Sequence, residues 1–144
     1  MPEESYDLER FVRAQAGIYD LALSELRAGE KRGHWMWFIF PQIKGLGMSE
    51  MSVHFAIYSL DEAKAYLAHP VLGPRLQECV EAVLAAQVSG ADVIFGYLDD
   101  MKFRSSMTLF ARASEAGSVF ERALVQYFDG NADEATLRQL GLYQ

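Results

Sequence analysis

Apolar residues recur at intervals of three and four along most of this 144-residue chain, and no sustained apolar–polar alternation interrupts them. That pattern restricts the chain to helices, because only a period near 3.6 keeps such residues on one face. The first example is Leu8, Phe11, Val12, Gln15, Ile18, Tyr19, Ala22, Leu23 and Leu26. It predicts one helix over about 8–28, capped by Asp7 and stopped by Gly29. Gly17 inside it costs about 1 kcal/mol relative to Ala, and close approach of another element is the expected reason. Further along, Ser49 caps a short helix through about 57, and Ser59 with Glu62 reads as a capping box for a helix over 60–68. Pro70 and Pro74 suit the first turns of a longer helix whose stripe is Leu72, Leu76, Cys79, Val80, Val83 and Leu84. A single apolar turn follows at 91–95, ended by Gly96. Asp99 or Asp100 then caps a helix over about 101–113. Ser118 with Glu121 opens another over 119–128, and Asn131 or Asp133 caps a last one over 132–140.

The fold class is therefore all-α: a compact single-domain bundle of seven or eight helices, several of them short. It spans 1–144, with residues 1–6 expected at its disordered edge. Composition agrees with a packed core, at 51% apolar and 23% charged residues. Lys plus Arg number 13 and Asp plus Glu 20, giving a net charge of −7. Neither a nucleic acid nor an anionic membrane is an expected partner for so acidic a chain. No apolar run is long enough to predict a membrane span, and the acidic N-terminus lacks a signal-peptide core. One cysteine, Cys79, cannot form an internal disulfide, so a cytoplasmic setting is the default expectation. Cys79 lies on an apolar stripe and reads as a core thiol. The three histidines are scattered, no metal-ligand spacing occurs, and no cofactor is implied.

Two segments carry the candidate chemistry. The first is Lys31-Arg32-Gly33-His34-Trp35-Met36-Trp37-Phe38-Ile39-Phe40-Pro41-Gln42. Aromatic and branched residues in a row, ahead of Pro41, predict one short extended segment; a buried helical turn has no distinguishing period and stays open. The block serves either as an aromatic core plug or as a stacking platform. In the second case Trp35 or Trp37 stacks a flat ring, Arg32, Lys31 or Lys102 holds negative charge, Gln42 offers an amide, and His34 stands among the ligand-binding residues. The second segment is Phe95-Gly96-Tyr97-Leu98-Asp99-Asp100-Met101-Lys102-Phe103-Arg104-Ser105-Ser106-Met107-Thr108-Leu109-Phe110. On a helix, Met101, Ser105 and Thr108 share one face, and Lys102 and Ser106 share the next. These side chains either converge on a polar ligand or form a capped, solvated face.

The stretches 32–42, Gly45-Leu46-Gly47, Glu62-Ala63 with Tyr66-Leu67 and His69, and Phe95-Gly96 through Phe110 resemble a small bacterial family, number eighteen-ten of the domains of unknown function. The resemblance runs from about Asp7 to Asp129 and implies a compact helical fold without an established activity. Some members bear the label calpastatin, which names disordered inhibitor segments and does not suit a core-forming chain. A fainter likeness, in His69-Pro70-Val71-Leu72 and Phe95-Gly96, is to the NADAR (YbiA-like) group, which implies ADP-ribose-type ligands.

Two functions follow as expectations. One is a pocket for a planar anionic small molecule of nucleotide or ADP-ribose type, with Ser105, Ser106 and Thr108 bonding its sugar or phosphate. If that pocket is catalytic, it belongs to a hydrolase of nucleotide-type N-glycosides, with Asp100 as base or cation stabiliser and Lys102 beside it. The alternative is a non-catalytic adaptor whose exposed aromatics anchor a protein partner. Nothing in the residues sets the oligomeric state.

Overall fold

The structure, a computed structural model, describes residues 6–142. The chain runs through α1 (Glu9–Gln15), α2 (Tyr19–Arg27), α3 (Met36–Ile39), α4 (Glu50–His54), α5 (Leu60–Ala68), α6 (Leu72–Ala86), α7 (Ala91–Phe95), α8 (Asp99–Arg112), α9 (Val119–Phe128) and α10 (Glu134–Gln139). Ten helices are thus present among the described residues, more than the seven or eight expected, because two expected elements resolve differently. The expectation for residues 1–6 lies, except for Tyr6, outside the described residues.

The first difference is at Gly17. Its φ of +78° breaks the expected 8–28 helix into α1 and α2. No other group crowds the position, so the reason for glycine is backbone conformation and not close approach. Asp7 does not cap α1, whose N-cap is Leu8; its carbonyl accepts instead from Arg10.

The second is the aromatic block, which is not extended. Amides of Ile39 and Phe40 donate to the carbonyls of Trp35 and Met36, closing one helical turn, α3. The described chain contains no other strand with which an extended segment could pair, and a helical turn satisfies its amides internally. Extended backbone survives only past it. Phe40 has φ −124° and ψ 76° ahead of Pro41. Ile43 and Ile57 then form an isolated parallel bridge, in which Ile57 N donates to Gln42 O and Lys44 N to Ile57 O, each at 2.8 Å. That bridge also explains why α4 stops at His54 and not near 57.

Local capping follows the sequence closely. Ser59 accepts from Glu62 N, Ser118 from Glu121 N and Asp133 from Thr136 N. His69 Nδ1 accepts from Val71 N at 3.1 Å and Leu72 N at 3.3 Å, so this histidine caps the start of α6. Glu62 departs from a simple capping box. One of its oxygens accepts from Tyr58 N and the other pairs with Arg10 at 3.1 Å in the interior. Arg10 also donates to the carbonyls of His54 and Ala56, tying α1 to the chain between α4 and α5.

α8 lies at the centre, packed against α5, α7, α9 and α10, while α6 contacts α2, α5 and α9. Phe103 on α8 has its ring centroid 5.0 Å from Phe40, 4.7 Å from Phe95 and 6.4 Å from Phe128. Through this one side chain α8 reaches the aromatic block, α7 and α9. Cys79 is a free, buried thiol, and burial pushes its pKa up to about 12 against a hydrogen bond with Tyr19 that pulls it down. Among the described residues no helix is long and apolar enough to cross a membrane.

Candidate functional site

The loop between α2 and α3 is organised by Glu25. Its Oε1 accepts from Arg32 N at 2.8 Å, Gly33 N at 3.0 Å and the Trp35 indole N–H at 2.9 Å. Partial burial raises the Glu25 carboxyl, but the Gly33 and Arg32 amides, the indole and the Lys31 charge together hold it below the ordinary carboxylate value. Trp35 is thereby turned inward, 1% exposed, with its one polar atom paired. It belongs to the core and offers no face to a ligand.

Lys31 occupies the gap between this loop and α8. Its backbone N–H donates to Ile94 O of α7. Its ammonium donates to Gly33 O at 2.6 Å, pairs with Asp99 Oδ2 at 2.9 Å and lies 5.0 Å from the Trp35 ring. The side chain is 8% exposed. Asp99 is the shared centre, because Lys102, one turn further along α8, donates to its other oxygen at 3.3 Å. The Lys102 ammonium in turn lies over Trp37, 5.3 Å from the ring centroid, and the side chain is 31% exposed. The two candidate segments, remote in sequence, therefore meet in one chain of contacts: Glu25, Trp35, Lys31, Asp99, Lys102, Trp37. Trp37 is partly buried, the outermost residue of the aromatic turn.

The start of α8 beside this cluster is unusual. Its N-cap is Leu98, at φ +84° and ψ −50°, with no side-chain cap. That conformation is strained for a residue with a Cβ, by on the order of 1–3 kcal/mol. Neither aspartate serves as the expected cap. Asp99 is engaged by the two lysines, and Asp100 accepts only from the adjacent Met101 N, at 2.8 Å.

The remaining predicted site residues fall elsewhere. Arg32 is exposed and pairs with Glu30 at 3.1 Å, and His34 is exposed on the same loop. Gln42 lines a hollow next to Trp37 with Gly45, Gly47, Ser52 and Phe55, of only about 10 Å³. Ser105 shares its one hydroxyl proton between Met101 O and Asp133, each at 3.2 Å, while Thr108 donates to Arg104 O and accepts from Asp133 N at 2.8 Å. These two hydroxyls anchor the start of α10 on α8. Ser106 faces the interior, and its hydroxyl has no partner. A hollow of about 690 Å³ is an open groove over Leu67, Gly73, Glu78, Glu81 and Phe120, and it contains none of the predicted site residues. Among the described residues no group of three or more His, Cys, Asp or Glu is arranged to hold a metal.

Sequence reasoning missed Glu25 and the bridging role of Asp99. Glu25 had no local signal, and an aspartate at a helix start reads first as a cap.

A comparison with proteins of curated function finds no match. Among solved structures, this one is similar to the crystal structure of the conserved hypothetical protein Rv1873 from Mycobacterium tuberculosis. The two are 51% identical with a TM-score of 0.93, over 96% of this chain and 99% of that one. The family model described as "Protein of unknown function (DUF1810)" matches residues 5–140. With most of its length covered by that model, the chain belongs to the DUF1810 family.

Proposed function

We propose that the protein binds a planar anionic small molecule, of nucleotide or ADP-ribose type, on the surface formed by Trp37 and Lys102. One observation carries this reading: a partly exposed ammonium stands over a partly exposed indole, at the end of an ion triad in which Asp99 already has Lys31 as partner. Such a pair offers a stacking face and a cation side by side. Trp35 is excluded by burial, so stacking falls to Trp37. The adjoining hollow holds no more than a water, so the ligand lies on the surface and is not enclosed. Arg32 and His34 are exposed on the preceding loop, where Arg32 adds a further cation. If the bound N-glycoside is hydrolysed, Asp100 is the carboxylate for the task. Asp99 is held by two ammonium groups, and Asp100 by one amide.

The adaptor reading rests on a different observation. Tyr97, Leu98 and Met101 are 81%, 57% and 46% exposed, an apolar projection at the start of α8.

The test is a titration with nucleotides and ADP-ribose, following tryptophan fluorescence and thermal unfolding. Saturable quenching, absent in Trp37→Phe, is expected, with stabilisation of about 2.7 kcal/mol at a hundredfold excess over Kd. If no compound in the panel quenches or stabilises, the ligand reading fails and the adaptor reading replaces it.

A further inference from the structure

We infer that Lys102 is the specificity-determining residue of the Trp37 surface: it plugs the indole face and leaves it only for a ligand carrying both a flat ring and an anionic group close to that ring. This deepens the ligand reading above and rests on it.

The two lysines of the triad differ in what they can give up. An ammonium has three donors. Those of Lys31 are matched by Gly33 O, Asp99 and the face of Trp35, in a side chain 8% exposed. Lys102 has the longer bond to Asp99, the face of Trp37, and a donor left for solvent. When Lys102 departs, Asp99 keeps Lys31 at 2.9 Å, so no carboxylate is left buried and unpaired. A contact between this ammonium, in a side chain 31% exposed, and the ring face is also weak. Lys102 is therefore the one member that moves at little cost, and Lys31 with Asp99 stays as a fixed base.

The indole face that Lys102 covers is the face a ligand ring would stack on. A neutral ring must push the ammonium into water and gains only the stack. A ring with an attached phosphate offers the ammonium a charge-assisted bond in exchange. Since the ammonium starts 5.3 Å from the ring centroid, the favoured anion sits within one sugar of the ring. That geometry fits a nucleoside monophosphate and gives no advantage to a nucleoside or to free phosphate.

The experiment compares adenosine, adenosine monophosphate and inorganic phosphate on wild type, Lys102→Met and Lys102→Arg. Trp35 is 1% exposed, so fluorescence quenching reports Trp37. In wild type the monophosphate should bind at least about tenfold tighter than adenosine, and phosphate should not quench. In Lys102→Met adenosine should bind tighter than it does to wild type, and the preference for the monophosphate should collapse to within about twofold. Lys102→Arg should keep the preference. An unchanged preference in Lys102→Met, or equal weakening of both compounds, overturns the plug while leaving the ligand reading intact. If neither adenosine compound binds any form, the inference falls, and the wider nucleotide panel decides separately whether the ligand reading falls with it. Should Lys102→Met fail to fold, wild type alone decides. Its monophosphate preference must shrink as salt rises from about 0.01 M to about 1 M, and a salt-independent preference overturns the inference.

Discussion

Glu25 uses a single carboxylate oxygen to hold two loop amides and the Trp35 indole, and those three bonds decide which way the aromatic turn faces. A Cβ on Gly33 would come within 2.8 Å of the Trp35 indole, so the inward ring takes the space a side chain would need there. The folded-state pKa of Glu25 is depressed, so its contribution to stability is complete above the ordinary carboxylate value and is lost as pH falls through the depressed one. Urea denaturation of wild type and Glu25→Gln, from about pH 7 down to about pH 3, checks this. The variant should be less stable at neutral pH, and the gap should close toward the acid end. A gap that stays constant with pH would show that the charge of Glu25 does not matter. At this same scale, the hydroxyls of Ser105 and Thr108 serve the α8–α10 joint, and the polar face of α8 that looked ready for a ligand is largely spent on holding Asp133.

Between elements, the contact of α5 with α6 is set by Gly73. A Cβ there would overlap the carbonyl oxygen of Leu67, the penultimate residue of α5. Because the obstacle is backbone and not a flexible side chain, Gly73→Ala should destabilise by about 1–3 kcal/mol through overpacking. Chemical denaturation reads that loss directly. A neutral substitution would show that α5 shifts freely, in which case the His69 cap at the start of α6 is not a rigid joint. The break between α1 and α2 works the other way. Gly17 has room around it but a positive φ, so the angle between these helices is a backbone property. It lets Arg10 on α1 reach Glu62 while Tyr19 on α2 donates to Glu78 on α6.

At the scale of the molecule, one buried cluster runs from Phe11 to Leu124 and includes residues of eight of the ten helices. Phe103 joins three of its aromatic neighbours. Such a shared core should unfold in one step. Tryptophan fluorescence and far-UV circular dichroism should therefore give coincident denaturation curves. Phe103→Ala should shift both together by about 3–5 kcal/mol. Two separated transitions, or a shift in one probe alone, would show that the chain divides into independently stable parts.

The helical class, the positions of α5, α6, α9 and α10, and the caps Ser49, Ser59 and Ser118 were all legible in the amino-acid order, and Asp133 was one of two candidates for the α10 cap. These depend on neighbours three or four residues away, and spacing reports such contacts directly. The burial of Cys79 was legible for the same reason. The backbone of the aromatic block was not, since a run of large apolar residues has no period and its conformation depends on whether another strand exists to pair with it. Nor was the division of labour between the two tryptophans: Glu25 draws Trp35 inward, and Lys102 covers Trp37. Asp99 had a good local role as a cap and took a distant one, because Lys31 in a nearly dry gap needs a counter-charge more than the helix end needs a cap. Local order decided which segments coil and where they start; packing between remote segments decided which charges are spent on the fold and which, as at Lys102, are left at the surface.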